Sequence, residues 1–192
     1  DPRYAAKARY LRYLHGRARR AQIHLYYADE MDIELLPTIS GRWMRRGQQT
    51  QVDTPGQNAK QYVYGAAHYT LGTLCWLTWA HKDNAGFRQL LSQVLASHPN
   101  DPRPIVVVVD NYRIHWAQAV QAWLRSHRLQ LRLYFLPTYA PRLNPIERLW
   151  HHVRRNVTDN FFFRTMRRLR SAVEAFLTQL ARSPAVVLGI VA

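Results

Sequence analysis

Residues 105–109 read Ile-Val-Val-Val-Val and stop at Asp110. A run of β-branched residues favours a strand over a helix. It also has no polar face, so both sides need apolar cover, as in the centre of a sheet flanked by helices. The rest of the chain must supply that cover. Further strands are expected at 22–28, ending in Asp29-Glu30, and at 131–136. Residues 61–69 and 73–80 are aromatic and β-branched around Leu71-Gly72, which predicts an antiparallel hairpin. Helical spacing predicts helices over 2–20, 84–97, 115–126, 145–157 and 165–182. The order implies an α/β fold, with one mixed five-stranded sheet and helices on both faces. A basic linker helix at 1–20 would lead into one domain over 21–192, and the 192 residues are enough for a real core.

The chain carries 27 Lys+Arg against 12 Asp+Glu, a formal charge of +15. Lysine appears only at positions 7, 60 and 82, so the bases are nearly all arginine. Guanidinium forks match phosphate oxygens, and this balance points to a polyanion, with nucleic acid the first choice. An arginine-biased genome is the plain alternative. Cys75 is the one cysteine, in the apolar run Thr73–Trp79, and is expected in the core. One cysteine excludes a disulfide framework and a zinc-type cysteine cluster, which suits a reducing cytosol. No apolar run reaches membrane-spanning length, so no membrane partner is expected.

In a chain short of acids, three carboxylates stand out by position. Asp29 ends the first expected strand and Asp110 the central one. Glu147 opens a helix after a proline-punctuated loop, with Asn144 as its N-cap and Pro145 at its first position. Sites in open α/β sheets form beyond the carboxyl ends of strands. Three bare carboxylates gathered there repel. Two charges 4 Å apart cost about 4 kcal/mol at an effective dielectric near 20. A divalent cation resolves that repulsion, since Mg2+ takes oxygen ligands and two such ions serve phosphoryl transfer. Read singly, Asp29 is a turn residue, Asp110 a helix cap and Glu147 a first-turn acid favoured by the helix dipole.

The stretches Tyr27–Glu30 (YADE), Gly41–Gly47 (GRWMRRG), Val107–His115 (VVVDNYRIH) and Leu136–Trp150 (LPTYAPRLNPIERLW) carry a resemblance. Together they resemble the DDE transposases of the mariner-like group, of the bacterial insertion sequence 630 type. Glu147 follows Asp110 by 37 positions, close to the spacing expected of that family. The last stretch is specific, whereas Asp-Glu or Asp-Asn alone is weak. Ala140 departs from the serine that relatives often have there, without touching the acids. The resemblance implies a ribonuclease H-like fold and a catalytic, metal-holding triad of Asp29, Asp110 and Glu147. It implies Mg2+ or Mn2+ as cofactor, two ions being expected. It implies cutting of double-stranded DNA at transposon ends and joining to target DNA, by a homodimer acting in the bacterial cytoplasm at the nucleoid. It also implies helix-turn-helix modules ahead of the catalytic domain. A chain beginning at Asp1 without methionine reads as a piece of something longer. A ribonuclease H-like nuclease that cuts without joining, and a transposase-derived DNA-binding protein without catalysis, are the alternatives.

Candidate DNA contacts are Arg42, Trp43, Arg45, Arg46, His115, Arg142, Arg154 and Arg155. Trp43 either stacks on a base or anchors the core. His115 either contacts substrate or orders a carboxylate, and a structural place at a helix start is the third option. Glu30 reads as a neighbour that supports the triad without joining it. His151 and His152 lack partners at zinc spacing, so they read as surface or DNA-facing residues. Trp116, Trp123 and Trp150 fall at helical positions and read as core.

Overall fold

The computed structural model describes residues 2–41, 43–48, 51–138 and 140–191. Its strands are β1 (His24–Glu34), β2 (Lys60–His68), β3 (Leu74–Trp79), β4 (Ile105–Val109) and β5 (Leu131–Phe135). Its α-helices are α1 (Tyr4–Arg19), α2 (Asn84–Ala96), α3 (Gln118–Ser126), α4 (Ile146–Val153), α5 (Met166–Ala181) and α6 (Pro184–Val191). The strands form one sheet in the order β3-β2-β1-β4-β5. The β1–β2 and β2–β3 pairs are antiparallel, and β1–β4 and β4–β5 are parallel.

The Ile-Val-Val-Val-Val run is β4, and it is covered from both sides as its composition demands. Val107 and Val109 pack with Phe87, Leu90 and Val120 under α2 and α3. Val108 packs with Leu149, Val153 and Val173 under α4 and α5. The basic N-terminal helix is tied into this second layer: Leu11, Leu14 and Ala18 form its buried stripe, and its exposed surface mixes arginines with Tyr4, Tyr10 and Tyr13.

Strand β1 is longer than its composition suggests and runs six residues past Ala28, to Glu34. The continuation carries Asp32 and Glu34, which look like a strand end in sequence. Both acids find cations: Lys60 of β2 pairs with Glu34 at 2.6 Å, and Arg154 reaches Asp32 at 3.4 Å. Cross-strand charge pairing of this kind keeps a polar strand in register. Asp29 is therefore mid-strand, opposite Gly65 of β2.

Other expectations are corrected in detail. The helix expected from His115 splits into a short turn, Arg113–Trp116, and α3, because Ala117 is extended at ψ 141°. The helix expected over 145–157 is regular only to Val153 and then widens at Arg154–Thr158. Asn144 does not cap it: its side-chain amide turns inward and donates to the Ala28 carbonyl at 3.4 Å. Trp116 is 53% exposed and lies flat on Phe135, so it is not core. Trp123 stacks on His127 at the margin, and Cys75 is half-buried. Helix α6 has no clear forerunner in the sequence, being rich in valine, a weak helix former. Val187 and Val191 fix it to the core. Among the described residues, no single helix is long and apolar enough to cross a membrane.

Candidate functional site

The site forms where the parallel part of the sheet ends. β1 and β4 pair in register from His24↔Ile105 to Tyr27↔Val108. Continued by two residues, that register sets Asp29 beside Asp110, on backbones roughly 4.8 Å apart. Side chains alternate along a strand, so Asp29 and Glu30 face opposite sides of the sheet. Asp29 faces the α4 layer and Glu30 the α2–α3 layer. Glu147, on the first turn of α4, lines two open clefts. One, of about 460 Å³, holds Asp110, Asn111 and Asn144, and the other, of about 490 Å³, holds Asp29, Trp150 and Arg154. The loop leading to α4 is pinned from both directions. Asn111 donates to the Leu136 carbonyl at 2.6 Å, and Asn144 holds β1.

The three acids sit in different electrostatic settings. Burial pushes the Asp29 carboxyl up to about 7, and the neighbouring Glu30 and Asp110 charges add to the rise. Glu147 is raised above the usual carboxylate range, first by burial and then by Asp110. Asp110 goes the other way. Burial works to raise it, but hydrogen bonds from His115 and from the Tyr112 N–H outweigh that and hold it below the usual range. Lys82 and Arg154 make their direct ion pairs with Glu30, at 3.4 Å, and Asp32, and from there they only partly offset the rise at Asp29 and Glu147.

His115 is 1% exposed, which corrects its candidacy as a DNA contact. Its Nε2 meets Glu30 at 3.1 Å and its Nδ1 meets Asp110 at 3.2 Å. Burial disfavours its charge, but these two carboxylates more than offset that and raise it to about 9. It is thus an imidazolium clamped between two acids, on the Glu30 side of the sheet. The Asp-Asn-x-x-x-His spacing hinted at the pairing with Asp110. Nothing in the sequence hinted at Glu30 as its second partner.

The arginine-rich turn is on the surface. Trp43 is fully exposed, so it does not anchor the core, and Arg45 and Arg46 are exposed as well. Arg42 lies outside the described residues. Arg142 and Arg155 are exposed, while Arg154 is half-buried in the cleft beside Asp29. The residue that sequence reasoning missed is Trp150. It is 3% exposed, as a core residue should be, yet its indole N–H donates to Asp29 Oδ2 at 3.1 Å.

A family model described as "DDE superfamily endonuclease" matches residues 24–170. The chain is 35% identical over 164 residues to the "Insertion element IS630 uncharacterized 39 kDa protein" of Shigella sonnei, covering 85% of this chain and 47% of that protein. It therefore spans about half the length of the curated relative it matches. Among solved structures, the Mos1 mariner paired end complex with Mn is similar at a TM-score of 0.67 and 14% identity, over 98% of this chain and 60% of that one. The Mos1 Strand Transfer Complex is similar at 0.65 and 15%, over 99% and 57%. The shared fold is ribonuclease H-like.

Proposed function

The chain belongs to the DDE superfamily endonucleases, and from that premise we propose that it is the catalytic domain of a DNA transposase of the mariner-like, insertion sequence 630 type. Asp29, Asp110 and Glu147 are its catalytic acids, and together they hold Mg2+ or Mn2+, as two ions. The observation that carries the reading is the continued β1–β4 register, which sets two aspartates side by side below a glutamate that borders both clefts. Their donor set suits the ion: hard oxygen ligands, two of the three raised first by burial and then by neighbouring acids, with Lys82 and Arg154 in direct ion pairs to Glu30 and Asp32. When bound, such ions activate an attacking oxygen and neutralise charge on the phosphate.

The residues themselves divide the remaining work. The Asn111 and Asn144 anchors hold the loop that delivers Glu147. His115 fixes the direction of Asp110 from beneath. The two clefts on either side of Glu147 give a phosphodiester strand room to enter and leave. The +15 charge favours double-stranded DNA as the partner. Trp43, Arg45, Arg46, Arg142, Arg154 and Arg155 are the proposed contacts, with Arg42, next to Trp43 in sequence, proposed beside them. The neighbours of known structure are described with a left transposon end and as a paired-end complex. By that likeness the substrates here are transposon ends and target. Pairing of two ends calls for two copies, hence a homodimer, working at the nucleoid in the bacterial cytoplasm.

Nicking of a supercoiled plasmid with Mn2+, followed by joining of a labelled end to a second duplex, tests the reading. Asp110→Ala and Glu147→Gln should each lower nicking by more than the roughly 10–100-fold typical of changes outside the ligand set. DNA binding should persist. Nicking at the parental rate by either variant would sink the triad. Nicking without joining would favour a nuclease.

A further inference from the structure

Trp150 follows Glu147 by three positions on α4, the spacing that puts two side chains on one helix face. The helix that carries one acid therefore also carries an N–H donor to another. The indole lies across β2 at Gly65, the residue directly opposite Asp29 in the antiparallel register. A Cβ at Gly65 would come within 2.8 Å of Trp150 Cζ2 and closer still to Cη2. The three nearest atoms to that Cβ all belong to the indole, so the missing side chain is what leaves the ring room beside the carboxylate. We propose that Trp150, seated on Gly65, is a positioning residue that holds the Asp29 carboxylate in its metal-binding orientation.

The chemistry is that of a partner behind a ligand. A carboxylate on a strand turns about its terminal bond, and one strong donor to Oδ2 restricts that rotation and sets the direction of the remaining lone pairs. The bond is sheltered, because the indole is 3% exposed. A tryptophan here is thus more than apolar filling: phenylalanine would cover the same sheet face without the N–H. This inference rests on the reading of Asp29 as a metal-holding acid.

The test uses the whole chain and Mn2+ alone as probe. The readout is the Mn2+ concentration at half of the metal-induced rise in melting temperature, with the Mn2+ midpoint of plasmid nicking alongside. Trp150→Phe removes the donor, and Gly65→Ala displaces the ring from the other side. Each should raise both midpoints about tenfold, the lower end of the 10–100-fold loss typical when a ligand's partner is removed. Ile146→Val is the packing control on the same helix. It should lower the metal-free melting temperature slightly and leave the midpoints at the parental values. A folded Trp150→Phe protein with parental midpoints overturns the proposal. If that variant does not fold, parental midpoints in Gly65→Ala do so, and so does an Ile146→Val shift as large as that of Trp150→Phe. Asp29→Asn separates the two levels. If it keeps the parental Mn2+ response, the acid site itself has been misread. If it loses that response while Trp150→Phe keeps it, only the positioning role fails.

Discussion

His24 and Asp29 are five positions apart on β1, roughly 17 Å along the strand, and their neighbourhoods treat polar groups in opposite ways. Around His24 every group is matched. The Thr70 and Leu71 N–H groups donate to His68 Nδ1 at 3.2 and 3.1 Å. That nitrogen carries the lone pair, so Nε2 holds the proton and donates to His24 Nδ1 at 3.1 Å. His24 in turn donates through Nε2 to Asp101 at 3.0 Å, and Arg103 closes the chain on Asp101 at 2.6 Å. Nitrogens of His24, His68 and His98 lie within 4.8 Å of one another, a zinc-like grouping by residue type. The hydrogen bonds argue against it, because His68 has already given its lone pair to two backbone donors. Around Asp29 the acids crowd instead: Glu30 and Asp110 add to the rise that burial gives its carboxyl, and Lys82 offsets it only in part. One end of the strand is built to be stable as it stands, the other to be completed by something else.

The comparison breaks most readily at the histidine end. His68→Ala would leave His24 Nδ1 and two backbone N–H groups without partners and remove a buried ring. A loss of roughly 2–4 kcal/mol in a denaturant titration is expected. An unchanged midpoint would mean that the network is ornamental and the two ends are not different in kind. A smaller effect should come from pH. Burial, then the charges of His24 and His98, pull His68 from its ordinary 6.5 down to about 3. The unfolded chain takes up a proton near pH 6.5 that folded His68 refuses until about pH 3. The unfolded state therefore binds more protons throughout that window, and stability falls as pH falls through it. Between pH 7.5 and 5, His68 should account for about 1–2 kcal/mol of lost stability, seen as a gap between the parent and His68→Asn. Parallel pH curves for the two proteins would contradict the assignment.

Much of this was legible in the sequence, and the reasons it stopped are physical. The β4 run announced its place because only a central strand can bury residues on both faces. Asp110 and Glu147 were legible because one follows that run and the other opens a helix after a stiff loop. Asp29 was found, but as a strand end, because Asp32 and Glu34 look like solvent-exposed residues until Lys60 and Arg154 are known to meet them. Asn144 looked like a cap because local rules cannot see that Ala28, far away in sequence, offers a competing acceptor. Trp150 was read only as core where the fold gives it two roles, and the alternatives for His115 did not include a second carboxylate, Glu30. A side chain's apolar body is visible in a periodic pattern, but the partner of its polar tip depends on which strand lies across from it.

The same crowding ranks the three acids in a way position alone did not. Asp110 is held low by His115 and the Tyr112 N–H, so neutralising it should cost stability. Asp29 bears the strain of burial and two like charges, and it is the informative one to change. Thermal melts of the parent and Asp29→Asn, in chelator and in saturating Mn2+, test the central claim most directly. Without metal, Asn at this position should match or exceed the parent, since it relieves repulsion and its carbonyl still accepts from Trp150. With Mn2+ at about 100 times its Kd, the parent should gain roughly 2.7 kcal/mol and Asp29→Asn almost none. An Asp29→Asn protein that melts below the parent without metal, yet keeps the full Mn2+ gain, would show that the three acids do not form a cation site.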